Sequence, residues 1–444
     1  LTLDIRKIRL KELKAVIKNK TAEIIQALNK DYGRRCEQET QIAEIMIVLD
    51  EIKHTLKHID AWVKPRTKAS NYKFLFSKSA IIPQSLGVVG IIAPWNYPFN
   101  LAIAPFVAAI AAGNKVMLKP SEVTPNTSQI IADILQEVFL ESEVAVSLGD
   151  LSVAQEFSSL PFKHILFTGS TAVGKIIMQA AACHLTPVTL ELGGKSPVII
   201  DENYSVKTAA ASIVGGKFYN AGQTCIAPDY ILVNKKQQQA LVEAIKTEIN
   251  RCFADALNNP DYTAIINQRH FQRLQNLAQE CEEKEQCLWV QGKEFDEKLN
   301  IFPPLLVLNP SADSKIMQEE IFGPILPIIA VENVDEALNF VNQRANPLTL
   351  YVFSNNTKFI KKVLNNTLSG SAAVNETLVQ FAQDGLPFGG IGESGTGSYH
   401  GKNGFDSFSH LKSVYYQSRL NFNSFARAPY TKFKKKIVKL MSSM

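Results

Sequence analysis

Val88-Val89-Gly90-Ile91-Ile92-Ala93-Pro94-Trp95-Asn96-Tyr97-Pro98 opens as a buried strand and closes in a loop bracketed by two prolines. The apolar segment Phe99–Ala112 follows, Gly113 ends it, and Val116-Met117-Leu118 supplies the next apolar run. A continuous apolar strand, a helix and a second apolar strand make a βαβ unit, whose strands lie parallel and covered on both faces. The pattern extends outward through a helix at Thr127–Phe139, a strand at Val144–Ser147, a helix at Val153–Phe157 and a strand at His164–Phe167. A helix at Ala172–Cys183 and a strand at Val188–Leu190 complete the run. This alternation predicts an α/β fold, a doubly wound parallel sheet that binds ligands at the carboxyl ends of its strands. A second α/β run follows Lys195, with strands near Val198–Ile200, Tyr230–Val233, Ile325–Ala330 and Leu350–Phe353. Two such halves meeting near Glu191 would form a cleft suited to a small molecule.

Upstream, residues 8–62 show charged helical periodicity that ends near Pro65. Tyr72–Ile82 is a basic, β-rich stretch, and Ser413–Arg419 reads as a strand that could pair with it.

Composition excludes several classes of function. The chain has 444 residues, 46% of them apolar and 20% charged, as in ordinary soluble globular proteins. Its net charge of +5 is concentrated at the ends and shows no interleaving with aromatic residues, so no nucleic-acid partner is expected. Cys36, Cys183, Cys225, Cys252, Cys281 and Cys287 include no Cys-x-x-Cys pair, and the histidines do not cluster with them at zinc-like spacing. This predicts a reducing, cytoplasmic setting with neither a disulfide framework nor a metal site. No signal-peptide pattern opens the sequence, and the run Phe99–Ala112 is too short to span a bilayer.

Chemistry concentrates in two segments. Glu191-Leu192-Gly193-Gly194-Lys195 places a carboxylate at the end of an apolar strand, and Gly222-Gln223-Thr224-Cys225 offers a thiol. A thiol that takes up and releases an acyl group needs a base to activate water. Between the first sheet's strands, Gly169-Ser170-Thr171-Ala172-Val173-Gly174-Lys175-Ile176 falls one residue short of a P-loop, because Ile176 has no hydroxyl for Mg²⁺. It still follows a strand and opens a helix, where backbone amides face an anion. Lys119 and Glu122 follow the Val116–Leu118 strand, where a donor and an acceptor would reach ribose hydroxyls.

Together these segments resemble the aldehyde dehydrogenase superfamily: Asn-Ala-Gly-Gln-Thr-Cys at 220–225, Glu-Leu-Gly-Gly-Lys-Ser-Pro at 191–197 and Phe-Thr-Gly-Ser at 167–170. The resemblance implies that Cys225 is the nucleophile, Glu191 the base and Asn96 the oxyanion donor. It implies a nicotinamide cofactor, NAD with NADP as the alternative, held by Trp95, Lys119, Glu122, Gly169, Ser170, Gly174, Glu320 and Phe322. Glu320 would meet the nicotinamide ribose, and Tyr97 and Phe99 would border the substrate. Lys195 would orient the site or lie in solvent. Leu386-Pro387-Phe388-Gly389-Gly390 and Ser394-Gly395 would shape the substrate entrance and the return into the core. Transfer of the acyl group to water is expected, with a cofactor-independent thiol esterase and a CoA-acylating dehydrogenase as alternatives.

Cys225-Ile-Ala-Pro-Asp-Tyr230, His184–Glu191 and Gly397-Ser-Tyr-His-Gly-Lys402 are similar to the class 3 branch of fatty and aromatic aldehyde dehydrogenases. That branch implies apolar aldehydes (fatty, aromatic or polyene) and a homodimer. The expected division is residues 1–66 and 84–193 for NAD(P), 194–398 for catalysis, 67–83 and 411–425 as oligomerisation strands, and 426–444 as a basic tail. Phe433, Ile437, Leu440 and Met441 fall on one helical face of that tail among lysines. Peripheral contact with an anionic membrane and packing on a partner subunit are both open readings of it.

Overall fold

The computed structural model describes residues 1–69, 74, 76–419 and 427–442. The expected parallel sheet is present with six strands. Their spatial order is Gly395–Thr396, Val188–Glu191, Ile165–Thr168, Val88–Ile92, Lys115–Lys119 and Val144–Val146. All pairs are parallel except Gly395–Thr396, which runs antiparallel against Leu190 and Glu191. The return into this sheet thus begins before residue 398, the boundary expected for the catalytic segment. Pairing with Leu190 and Glu191 fixes Gly395–Thr396 there, and Phe388, Tyr399, Phe405 and Phe408 enter the same core.

Helix Asn100–Ala112 is buried at every residue and lies against this sheet, as its unbroken apolar sequence requires. Gly113, at φ 93°, ends it in the left-handed conformation that glycine adopts without strain. The N-terminal helices Leu3–Asn19 and Ile47–Trp62 cover that helix, and Thr21–Tyr32 packs on helix Pro125–Val138. Leu10, Leu13 and Ile17 on the first and Val48, Ile52 and Ile59 on the third form the buried stripes. Each such side chain contributes roughly 1.5–3 kcal/mol on burial. Between Glu37–Thr40 and Ile47–Trp62 the helix widens into a π-helical segment, Gln41–Met46.

The second sheet has seven strands in the order Gln286–Trp289, Leu305–Leu308, Ile325–Val331, Tyr230–Asn234, Pro197–Ile200, Thr349–Phe353 and Ser371–Val374. Only the edge strand Gln286–Trp289 is antiparallel, and apolar clusters cover both faces. A three-stranded antiparallel ribbon joins Arg66–Lys68, Lys78–Ser85 and Ser409–Tyr416, with Ser85 opposite Ser409 and Lys78 opposite Tyr416. The expected pairing of these chain regions is present, shifted from the expected bounds. Residues 70–73 and 75 of the first stretch and 420–426 after the second lie outside the described residues.

Candidate active site

Cys225 lies on the loop that leaves helix Val206–Phe218, between the two sheets. The loop turns tightly. Asn220, Ala221 and Gly222 carry φ values of 52°, 51° and 76°. A Cβ on Gly222 would stand 2.4 Å from the Gly323 carbonyl oxygen, so the loop packs directly on the segment that carries Phe322. Gln223 locks the turn: its side-chain amide donates to the carbonyls of Asn220 and Ala264, both at 3.0 Å, and its oxygen accepts from Ile266 N at 2.9 Å.

Among the described residues, Cys225 is the one that lines both an apolar cavity and the polar cavity next to it. The first holds about 220 Å³ and is almost wholly apolar, with Ile42, Ile47, Leu101, Leu378 and Phe381 among its walls. Tyr97 borders it too, its hydroxyl engaged with Thr224 Oγ1 at 2.6 Å. Phe99 does not reach it. That ring is fully buried in the core of the first sheet, because the helix starting at Asn100 turns Asn100 and Leu101 toward the cavity instead.

The second cavity holds about 280 Å³ and gathers Trp95, Asn96, Gly169, Ser170, Glu191, Glu320 and Phe322 from both sheets. Glu191 ends its strand inside it, 2% exposed, and neither carboxylate oxygen has a hydrogen-bond partner. Burial without a partner raises its proton affinity well above that of an ordinary glutamate. The Cys225 thiol is pushed up to about 12, by burial first and then by the Glu320 and Glu191 carboxylates. Asn96 donates from Nδ2 to the Gln223 carbonyl at 3.1 Å, which sets its amide beside the thiol loop.

Glu320 is raised to about 8, by burial and then Asp229, and accepts from the Gly194 backbone. A Cβ on Gly193 would stand 2.1 Å from its Oε2. Phe322 sits at φ 47°, its ring 5.4 Å from that of Trp95. Ser170 caps helix Thr171–Ala182, accepting from Val173 N at 3.4 Å. Gly174 faces Leu192 rather than the cavity, so it permits close packing of the helix on the strand end. Lys119 and Glu122 meet at 3.4 Å at the carboxyl end of the neighbouring strand, outside the cavity walls. Lys195 does orient structure: it pairs with Asp229 and donates to the Ile316 and Glu319 carbonyls at 2.7 and 2.9 Å.

Two cavity residues escape a reading of the sequence. His270 lies tilted against Trp95 with ring centroids 4.7 Å apart, and burial lowers it to about 4. Arg273, one turn on, donates to the Ile321 carbonyl at 2.5 Å and steadies the Phe322 segment. Asn267, a helix cap, is the only local signal of that helix's start, and nothing in the stretch announces that it faces the cleft.

The pattern of the aldehyde dehydrogenase family matches residues 1–414. A probable coniferyl aldehyde dehydrogenase of Pseudomonas aeruginosa is 45% identical over 97% of this chain and 90% of its own length. Aldehyde dehydrogenase family 3 member A2 of Mus musculus is 44% identical over 91% and 82%. The structure of the substrate-bound state of Staphylococcus aureus AldH superposes with a TM-score of 0.94 at 41% identity, covering 99% of this chain and 95% of that one. The chain belongs to the aldehyde dehydrogenase family, in its class 3-like branch, and is an NAD(P)-dependent aldehyde dehydrogenase.

Proposed function

We propose that the chain oxidises apolar aldehydes (fatty, aromatic or polyene) to free carboxylic acids through covalent catalysis at Cys225. One observation carries the reading: among the described residues, the thiol alone lines both this apolar cavity and the polar one beside it. The aldehyde enters from the apolar side, where hydrogen-bonding partners for a polar substrate are few.

The polar cavity fits a nicotinamide dinucleotide. Thr168 Oγ1 is buried there without a partner, and the space at Gly193 would be lost to any side chain. Trp95, Gly169, Ser170, Glu320 and Phe322 line the space that would receive it, Lys119 and Glu122 would reach its adenosine ribose, and Gly174 would keep the anion-binding helix close. When bound, this cofactor accepts hydride from the thiohemiacetal carbon.

A thiol near 12 is protonated at neutral pH, so attack requires a base. Glu191 faces it with both oxygens free and a raised proton affinity suited to that transfer. Attack gives a thiohemiacetal oxyanion, which the second N–H of Asn96 and the Cys225 backbone amide stabilise without titrating. Glu191 passes the thiol proton to solvent and, after oxidation, deprotonates the water that hydrolyses the thioester, which favours a free acid over transfer to CoA. Glu122 favours NAD, since a 2′-phosphate would meet its charge.

The division into a cofactor unit, a catalytic unit and an oligomerisation ribbon belongs to the same reading, with the ribbon joining a homodimer. No helix among the described residues is long and apolar enough to cross a membrane. Helix Lys432–Ser442 carries five lysines and exposed Phe433 and Leu440, a composition suited to an anionic membrane surface. A kinetic screen of aldehydes of increasing length, with NAD and NADP, tests the assignment through reduced-nicotinamide absorbance. Preference for acetaldehyde or succinic semialdehyde over octanal would overturn the substrate class. Equal co-sedimentation of full-length and tail-truncated enzyme with anionic vesicles would overturn the tail's role.

A further inference from the structure

The nucleophile loop holds a conformation that its side chains disfavour. Asn220 and Ala221 are consecutive non-glycine residues at positive φ, five and four positions before Cys225, and such backbone persists only where surrounding groups fix it. Those groups come from the N-terminal segment, Arg35 from the turn after helix Thr21–Tyr32 and Glu39 from the short helix Glu37–Thr40. Arg35, its side chain wholly buried, donates from Nη1 to Asn220 Oδ1 at 2.6 Å and to the Asn96 carbonyl at 3.2 Å. Asn220 Nδ2 donates to the same Asn96 carbonyl at 3.0 Å and to the Gln223 carbonyl at 3.2 Å. Glu39 Oε2 accepts from Asn220 N and Thr263 Oγ1, both at 3.0 Å.

The guanidinium is set in place from several directions. Glu44 lies 3.7 Å from it, and the rings of Tyr32 and Tyr97 stand 4.6 and 5.2 Å away. Glu44 is itself fixed, accepting from Asn100 N at 2.7 Å. One buried cation therefore touches the turn that carries the oxyanion asparagine and the loop that carries the thiol. It is absent from the walls of both cavities and contacts neither substrate nor cofactor space.

We propose that Arg35 is a positioning residue for the reaction at Cys225, holding the left-handed 220–222 turn and the Asn96 turn in a single mutual arrangement. The inference rests on the reading of Cys225 as nucleophile. Nη1 alone donates to acceptors on two segments, and the guanidinium plane between Glu44, Tyr32 and Tyr97 fixes its direction; an apolar side chain donates to neither, and an ammonium lacks that plane. Loss of the bridge frees Cys225 and Asn96 to shift relative to one another, and displacements of about 1 Å cost about 100-fold in rate.

The test compares Arg35→Met and Arg35→Lys with the parent in the full chain. Two rates are read: single-turnover reduction of NAD at saturating cofactor and aldehyde, and alkylation of Cys225 by iodoacetamide located by peptide mass. In Arg35→Met both should fall together by about 100-fold, with NAD affinity within about twofold, and Arg35→Lys should recover part of the loss. A folded Arg35→Met enzyme with both rates near the parent's, or with only a raised KM, overturns the proposal. Should that variant fail to fold, Asn220→Gly decides. It keeps the left-handed backbone without strain and removes the bridging amide, so about a tenfold loss in both rates is expected and unchanged rates overturn the proposal. If Cys225→Ala retains turnover, the reading of the nucleophile itself is what fails.

Discussion

The two cavities that meet at Cys225 are built by opposite means. The apolar one is walled by the π-helical segment and helix start of the N-terminal half and by residues 378–382, and its selectivity is a matter of shape and burial. The polar one gathers strand ends and loops from both sheets around carboxyl groups whose proton affinities burial has raised. Apolar walls tolerate substitution in small steps. A buried carboxyl without a partner is instead sensitive to every change of charge or hydration around it. One thiol belongs to both regions, so its loss should be felt in both.

That gives the largest expected effect. Cys225→Ala should reduce turnover by about 10⁴-fold or more while NAD still binds, measured by reduced-nicotinamide absorbance and a separate cofactor titration. Turnover that survives would break the picture of one shared wall.

Glu191→Gln comes next. Thiol activation and deacylation should both slow, so that single-turnover NADH formation and steady-state turnover fall together, the latter by about 10²–10⁴-fold. In the parent, hydrolysis should rise with pH as Glu191 ionises through its raised pKa, and Glu191→Gln should lack that limb. A pH profile with the limb intact in the variant would assign the base elsewhere.

The apolar side should respond more gradually. Catalytic efficiency should climb about fourfold per added methylene, from about 0.8 kcal/mol each, until the cavity is filled. Phe381→Asp should flatten that slope and leave NAD affinity unchanged. If cofactor affinity moved with it, the two cavities would be coupled beyond the thiol.

The smallest effect concerns stability. A glutamate whose folded pKa lies above its unfolded value favours the folded state at low pH, and that contribution is lost as pH rises through the folded value. Glu191→Gln removes the burden, so thermal unfolding at pH 8 should move up by about 1–3 °C, with no gain near pH 4. An equal shift at both pH values would point to packing rather than ionisation.

Much of this was readable beforehand, for physical reasons. Strands such as Val88–Ile92 and Val188–Glu191 are continuous apolar runs between turn residues, and the helix Asn100–Ala112 is as apolar as its burial demands. Leu305–Leu308 is equally apolar, but Pro303, Pro304 and Pro310 around it read as turn signals. Gly395–Thr396 hides in a Gly- and Ser-rich stretch because its pairing with Leu190 and Glu191 is set by tertiary contact alone. In the site, Cys225, Glu191 and Asn96 stand in distinctive segments and converge in space. Arg35 was invisible, since Gly33-Arg34-Arg35 looks like a solvated turn and only the folded chain buries the second arginine.

The π-helical segment Gln41–Met46 has a consequence for chain length. It carries about one more residue per turn than its α-helical flanks, and it presents Ile42 and Ala43 to the apolar cavity while Glu44 faces Arg35. Removing a single residue there would let the bulge close to regular α geometry with its flanks still in register, so the side chains that move are those of the segment itself. The cavity wall and the charged support behind it would change together in one step. The shape of this cavity therefore depends on the number of residues in the segment as well as on their identity.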